Sequence, residues 1–203
     1  MPLPIVGILL GGQARRMGGF PKGNLVVDVV DGRTILERTL AAVRSAATSV
    51  AEPLSVYLVG QGSAYSASDV QRLEDEPRGV GPMGGLSALL QRAEGAEVVA
   101  IAGDLPFLTR ELVERVFFEC NGAAALAPRE GERWQPLFAR YSAGAVLPIV
   151  RAALGRGDTS LQVIFASLGG EARVLDLSDA ERACLIDWDR PSDVNLRCPE
   201  SSP

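Results

Sequence analysis

Residues 9–22, which read LLGGQARRMGGFPK, combine glycines with three cationic side chains. The stretch overlaps the end of an apolar run, residues 5–10, whose length is typical of a buried parallel strand. Glycines let backbone N–H groups approach a phosphate closely, and Arg15, Arg16 and Lys22 can neutralise its charge. Because ligands of open α/β sheets bind at the carboxyl ends of the strands, the pattern predicts a nucleoside triphosphate site.

This glycine-rich segment differs from two well-known phosphate-binding motifs. A Walker A loop has glycine directly before its lysine, whereas Lys22 lies between Pro21 and Gly23. The dinucleotide fingerprint spaces its glycines differently and opens straight into a long helix. The alternative interpretation is an ordinary surface loop with solvated charges.

Three aspartates are candidate ligands for a hard metal ion. Asp104 follows the apolar run 98–102 in the sequence GDLPFL, and Asp187 and Asp189 share one face if their backbone is extended. Mg²⁺ takes one or two carboxylates together with substrate phosphates, so these residues are candidate magnesium ligands. The alternatives are a turn at Asp104 and a solvated acidic loop at the other two.

Composition narrows the classes of partner. The chain has 203 residues, and its net charge of −5 argues against a nucleic-acid binder or a basic membrane-surface protein. It has no histidine, so it lacks the commonest transition-metal ligand and acid/base group. Its three cysteines form neither a disulfide framework nor a zinc motif. No signal peptide and no apolar run of about 20 residues is evident. We expect a cytoplasmic protein with one domain, residues 1–203, and a frayed tail from about Cys198.

Apolar periodicity alternates between strand and helix along the chain. Strands are predicted at 5–10, 54–59, 98–102, 123–127, 135–141 and 172–175. Helices are predicted from Ile35 to about Ala47, from near Gly84, after a Thr109 cap, at 146–154 and at 159–167. Residues 70–73 are a short helix or strand, 74–85 an active-site loop and 129–133 a mobile polar loop. This alternation predicts βαβ units.

Five motifs occur in an order that resembles the molybdenum cofactor guanylyltransferase family: the segment at 9–22, then GPMGGL, GDLPFL, QPLFARY and DWDRPSDV. The match runs from about Ile5 to Asn195. The resemblance implies an α/β fold with a three-layer, doubly wound, mainly parallel, Rossmann-like sheet. It also implies binding of GTP and Mg²⁺, and transfer of GMP to the phosphate of molybdopterin with release of pyrophosphate.

The same resemblance assigns residues to the two substrates. The nucleotide would contact Leu9, Leu10, Gly11, Gly12, Lys22, Asp75, Gly81, Gly84, Gly85 and Asp104. Among these, Asp75 would lie in the guanine or ribose pocket, and the three later glycines would shape its wall. The metal would be held by Asp104, with Asp187 and Asp189 in the place of an Asn-x-Asn pair near the pterin. Gln135 and Pro136 would face the second substrate. Apart from the resemblance, Trp134 with the loop at 129–133 is a candidate cover for that substrate, and the alternative is that Trp134 is a core or subunit-contact aromatic.

The acceptor is a phosphate whose oxygen is already ionised, so the reaction needs no general base and the absence of histidine is no obstacle. We expect Lys22 and Arg16 to stabilise the leaving pyrophosphate and Asp104 to act through Mg²⁺, as positioning and electrostatics require. Molybdoenzymes or their chaperones are further candidate partners.

The family often has alanine at Leu10 and asparagine at Gly60, so the base stays open. The alternatives are a CTP-dependent molybdopterin cytidylyltransferase, a sugar-phosphate or alditol-phosphate nucleotidyltransferase, and a non-catalytic nucleotide-binding partner in cofactor insertion.

Overall fold

The structure is a computed structural model that describes residues 2–10, 22–27, 32–48, 50, 52–60 and 70–188. The predictions made for Gly11, Gly12, Arg15, Arg16 and Asp189 lie outside these ranges. All statements below concern the described residues.

A seven-stranded sheet organises the molecule, flanked by a separate two-stranded hairpin. The strands are β1 (Ile5–Leu9), β2 (Val56–Val59), β3 (Gln71–Leu73), β4 (Glu97–Ala102), β5 (Ala125–Ala127), β6 (Arg129–Glu130), β7 (Arg133–Trp134), β8 (Phe138–Ser142) and β9 (Ala172–Val174). Their order in the large sheet is β3-β2-β1-β4-β8-β5-β9, while β6 pairs with β7. Every strand of the large sheet runs parallel to the others except β8, which is antiparallel to both of its neighbours. The predicted mainly parallel sheet is confirmed.

Helices cover both faces of this sheet. They are α1 (Ile35–Ala46), α2 (Pro82–Arg92), α3 (Arg110–Phe118), α4 (Ala143–Gly155), α5 (Gln162–Leu168) and α6 (Asp179–Ala183). Buried residues of α1 and α3 pack on one face, and those of α2, α4 and α5 pack on the other. This confirms the three-layer, doubly wound arrangement. No helix in the described part of the chain is both long enough and apolar enough to span a bilayer.

Threonine caps fix the starts of the two helices on the first face. The Thr34 side chain accepts a hydrogen bond from the backbone N–H of Glu37, whose own carboxylate accepts one from the Thr34 backbone. This reciprocal capping box satisfies two N–H groups that the helix itself leaves without partners. Thr109 likewise accepts from Leu112, as predicted for the start of α3.

Three boundaries differ from those predicted. Residues 129–133 are not a mobile loop, because β6 and β7 form a hairpin there. Helix α2 begins at Pro82, before Gly84, since proline is favoured at the first helical position, where no N–H is needed. Strand β8 begins at Phe138 and not at Gln135, because the residues before it form a turn closed by a hydrogen bond from the Phe138 N–H to the Gln135 carbonyl.

The reversed strand β8 carries a buried charge. Arg140 is 1% exposed, and its guanidinium donates to the carbonyls of Phe117, Glu119 and Cys120 at 2.6, 2.6 and 2.9 Å. These carbonyls lie at the C-terminal end of α3, where a helix leaves backbone acceptors without partners. Burial lowers the Arg140 pKa, an effect that the nearby Glu97 carboxylate partly offsets. The arginine of the QPLFARY motif therefore joins the sheet to α3.

Candidate active site

The carboxyl ends of β1 and β4 lie side by side in the middle of the sheet. The chain leaves β1 towards β2 on one side and later returns to place β4 on the other, so the strand order reverses here. The Gly103 N–H donates to the Leu9 carbonyl at 3.0 Å and extends this contact beyond β4. In doubly wound sheets, ligands bind in the crevice at this kind of reversal.

Two of the three predicted catalytic residues meet at this edge. The Lys22 ammonium lies 3.1 Å from a carboxylate oxygen of Asp104, although the residues are 82 positions apart in the chain. The two side chains are 16% and 24% exposed, so both are largely shielded but reachable from solvent. The Lys22 ammonium is therefore held against the Asp104 carboxylate, just beyond the end of β4.

Leu10 fills space that Gly103 leaves open. A Cβ atom at position 103 would stand 2.5 Å from the Leu10 Cδ2 atom and 3.1 Å from the Leu9 carbonyl oxygen. Leu10 also packs against the apolar cluster of Ile8, Leu36, Leu40 and Leu58. Glycine at 103 thus accommodates the Leu10 side chain.

Asp75 lies against the first turns of α2, where two glycines make room for it. An added Cβ at Gly84 would stand 2.3 Å from the Pro77 carbonyl oxygen, and one at Gly85 would stand 3.1 Å from the Asp75 Oδ1 atom. A side chain at position 84 would displace the backbone of this segment, and one at position 85 would crowd the Asp75 carboxylate. Gly81 precedes α2 with φ of 67°, in the left-handed region that glycine tolerates best.

The Asp75 carboxyl has a raised pKa. Partial burial is the larger cause, since it disfavours the charged form, and the neighbouring Glu74 carboxylate adds repulsion. A half-buried carboxylate of this kind gains free energy when a hydrogen-bond donor reaches it. The raised pKa agrees with Asp75 as a candidate ligand-binding residue.

A pocket of about 620 Å³ opens beside Asp104 and contains the predicted acceptor-side residues. It brings Asp104 and Asp187 together with Gln135 and Pro136. Its remaining walls come from the β6–β7 hairpin, the turn before β8 and the start of α5. The predicted metal and acceptor residues within the described ranges thus border one cavity, whose volume is typical of a small-molecule site.

The segment carrying Asp187 is attached to the end of β4. The Trp188 N–H donates to the Asp104 carbonyl at 3.2 Å, and the fully buried Trp188 ring packs edge-on against Phe107 with centroids 5.9 Å apart. Asp187 itself is exposed at the pocket wall. Its predicted proximity to Asp104 is therefore present in the structure, whereas Asp189 lies outside the described residues.

The pocket also includes residues that the sequence did not single out. Thr159, Ser160, Leu161 and Gln162 line it at the start of α5. This segment was predicted only as a short helix, because it has neither a charge cluster nor a glycine motif. Only the order of elements could have indicated its position. Helix α4 packs along one face of the sheet after β8, so the chain that follows it returns to the edge where β4 ends.

Solved structures of other proteins share this architecture. Molybdopterin-guanine dinucleotide biosynthesis protein A from Archaeoglobus fulgidus superposes with a TM-score of 0.71 at 22% identity, covering 93% of this chain and 94% of that one. 2-C-methyl-D-erythritol 4-phosphate cytidylyltransferase from Thermus thermophilus superposes with a TM-score of 0.64 at 21% identity, covering 94% and 95%. At these identities the likeness shows a shared fold.

Sequence comparison gives the family. Residues 6–172 match the model of the MobA-like NTP transferase domain. A molybdenum cofactor guanylyltransferase from Pseudomonas putida is 34% identical over 157 residues, 76% of this chain and 78% of the relative. A probable molybdenum cofactor guanylyltransferase from Methanosarcina acetivorans is 31% identical over 166 residues, 78% and 72% of the two chains. The chain belongs to the MobA-like NTP transferase domain family.

Proposed function

We propose that this enzyme transfers GMP from GTP to the terminal phosphate of molybdopterin, forming the guanine dinucleotide cofactor and releasing pyrophosphate. The observation that carries the proposal is the Lys22–Asp104 pair, which lies at the strand reversal and whose aspartate lines the 620 Å³ pocket. Asp104 thus connects the strand ends, where a nucleotide is expected, to a cavity large enough for an acceptor. The names of the relatives supply the chemical identity of both substrates.

The reaction requires alignment and charge stabilisation more than proton transfer. The acceptor phosphate oxygen is ionised at neutral pH and attacks the α-phosphorus of GTP, while the bond to the β-phosphate breaks and pyrophosphate leaves. Negative charge accumulates on the transferring and leaving groups, so fixed cations lower the barrier. A chain without histidine can supply all of this.

Lys22 is the described cation best placed to stabilise that charge. An ammonium group has three N–H donors and can retain Asp104 as a partner while it binds a phosphate oxygen. Because Asp104 holds it at 3.1 Å, the ammonium is oriented before the nucleotide arrives. Arg16 remains a predicted second ligand of the pyrophosphate.

Asp75 is the proposed recognition group for guanine. A guanine base presents two adjacent kinds of N–H donor on one edge, and a carboxylate can accept from both. Asp75 is half-buried with a raised pKa, so it gains free energy from such donors. Gly84 and Gly85 allow the Asp75 segment to pack closely against the start of α2.

The carboxylates of Asp104 and Asp187 fit a magnesium ion that is shared with substrate. Both line the same pocket, and Mg²⁺ in phosphoryl-transfer sites takes one or two carboxylates and completes its shell with phosphate oxygens and water. No cluster of three or more potential ligating side chains occurs among the described residues, which do not include the third predicted ligand, Asp189. When bound, the ion would neutralise charge on the phosphates.

Product analysis tests the proposed function. The protein is incubated with GTP, Mg²⁺ and molybdopterin, and we expect the guanine dinucleotide and pyrophosphate in equal amounts. Thermal unfolding with GTP, CTP, ATP and UTP in parallel measures base preference, since a ligand of the folded state raises the melting temperature. A larger shift with CTP than with GTP, together with a cytosine product, would contradict the proposal.

A further inference from the structure

The first residue of α5 holds the main chain of the hairpin that ends beside the acceptor pocket. The Trp134 N–H donates to the Gln162 side-chain oxygen at 3.1 Å, and the Gln162 side-chain nitrogen donates to the Trp134 carbonyl at 2.9 Å. One amide therefore satisfies both backbone groups of one residue, as a neighbouring β-strand would. We refer to this pair of hydrogen bonds as the Gln162 clamp.

Helix α5 also holds the side chain of Trp134. Its indole ring stacks on Phe165, with centroids 4.5 Å apart and planes 9° from parallel. Arg129 approaches the same indole from the hairpin, 5.3 Å from the ring centroid. The hairpin has only two facing residue pairs, and such a short ladder has little stability by itself. Its position consequently depends on α5.

The backbone that follows the clamp is fixed at successive residues. The Gln135 N–H donates to the Pro128 carbonyl at 2.9 Å, the Tyr141 hydroxyl donates to the Pro136 carbonyl at 2.7 Å, and the Leu137 carbonyl accepts from Ala102 at 2.7 Å. Burial raises the pKa of Tyr141, so its hydroxyl stays protonated and keeps donating. This stretch forms one wall of the pocket.

The side chain of Gln135 is the exception in this wall. Within the described residues its amide has no hydrogen-bond partner, although it lines the pocket beside Asp104. Its backbone is fixed while its donor and acceptor remain available to a ligand. A group prepared in this way loses less conformational entropy on binding, which favours affinity.

We propose that Gln162 is a positioning residue for the acceptor: its clamp on Trp134 sets the wall that presents the Gln135 amide to the second substrate. The inference rests on the proposed function, since it concerns the acceptor half of that reaction. Loss of the clamp should raise the KM for molybdopterin and leave the KM for GTP unchanged, because Gln162 contacts none of the residues assigned to the nucleotide.

The test compares Gln162→Met, which keeps side-chain length and loses the amide, with the matched control Gln91→Met. Gln91 lies in the last turn of α2, where its amide donates to the Ser87 hydroxyl at 3.2 Å. We expect a roughly tenfold rise in the KM for molybdopterin in Gln162→Met, the size of one lost pre-ordered contact, and no change in the control. Gln162→Glu, which keeps the acceptor for the Trp134 N–H but loses the donor, should give a smaller rise.

Hydrogen exchange at the Trp134 amide supplies a readout independent of turnover. It should accelerate in Gln162→Met and stay slow in Gln91→Met, because only the first variant removes its acceptor. Faster exchange with an unchanged KM for molybdopterin would make the clamp purely structural and overturn the proposal. An equal rise in both KM values, or unchanged exchange, would overturn it as well.

The two proposals fail in different ways. A wild-type protein that makes no guanine dinucleotide overturns the proposed function and the acceptor role together. An active wild type whose Gln162→Met variant keeps the wild-type KM for molybdopterin overturns the positioning role alone. If Gln162→Met does not fold, Gln162→Glu decides by the same two measurements.

Discussion

The two sides of the site are built by different means. On the proposed nucleotide side, parallel strands β1, β2 and β4 end together, and Leu9, Leu10 and Asp104 lie at or just beyond those strand ends. On the acceptor side, the wall combines a hairpin, the turn before an antiparallel strand and the start of α5, joined by side-chain hydrogen bonds. The nucleotide side is thus determined by sheet topology, whereas the acceptor side depends on individual contacts that single substitutions can remove.

Asp104 belongs to both sides, so its loss should have the largest effect. We expect Asp104→Ala to lower kcat about 10²- to 10³-fold, the scale observed when one stabilising group for transition-state charge is removed. Steady-state kinetics at saturating Mg²⁺ measures this effect. Normal turnover under those conditions would refute the assignment of Asp104 to the metal.

Substitution of Gly103 tests how tightly the proposed nucleotide side is packed around Leu10. Gly103→Ala should destabilise the protein by about 1–3 kcal/mol, the cost of overpacking, because its Cβ would stand 2.5 Å from Leu10. Denaturant unfolding measures the change. Adding Leu10→Ala should restore part of the lost stability, and strictly additive effects of the two substitutions would contradict the proposed packing.

Substitution of Asp75 should have opposite effects on GTP binding and on the stability of the free protein. Asp75→Asn should weaken GTP binding about tenfold, since an amide replaces the charged acceptor. The folded-state pKa of Asp75 is raised, so the carboxyl adds stability as pH falls through that pKa and costs stability when it is ionised. At pH 7 the variant without ligand should therefore unfold at a higher temperature than the wild type. Calorimetry with and without GTP measures both effects, and unchanged GTP affinity would remove Asp75 from the base pocket.

The smallest effect is expected where α6 joins α3. The Arg115 guanidinium donates to Glu181 at 2.6 Å. Burial alone would raise the Glu181 pKa, but hydrogen bonds from Ser178 and Arg115 outweigh it and lower the pKa. The stabilisation is thus present above the unfolded-state pKa and disappears as pH falls. Glu181→Gln should cost under about 1 kcal/mol at pH 7 and less in acid, with kcat unchanged. An equal cost at both pH values would show that the charge is unimportant.

The nucleotide side was the more predictable from sequence. The strand ending at Leu9, the cap at Thr109 and the position of Asp104 at a strand end all follow from local patterns. The order of motifs indicated that these strand ends would share one edge. Sequence alone did not reveal the ion pair with Lys22, since its two partners are 82 residues apart.

The acceptor side was less predictable because its interactions join a side chain to a distant backbone. Residues 129–133 have no apolar alternation and contain Gly131, so they resembled a mobile loop. The Gln162 side-chain amide contacts Trp134 across 28 positions through the Trp134 backbone N–H and carbonyl, which are not specific to a residue type. No residue pattern encodes such a partner.

Arg140 has a consequence for how the chain selects one strand pairing. Side chains alternate between the faces of a sheet, so a shift of β8 by one residue would turn Arg140 towards the layer of α2 and α4. There the guanidinium would be buried among apolar groups, away from the helix-end carbonyls that now accept its hydrogen bonds. An unpaired buried charge costs several kcal/mol, so the shifted pairing is excluded. Arg140 therefore fixes the register of β8, the antiparallel strand of the sheet.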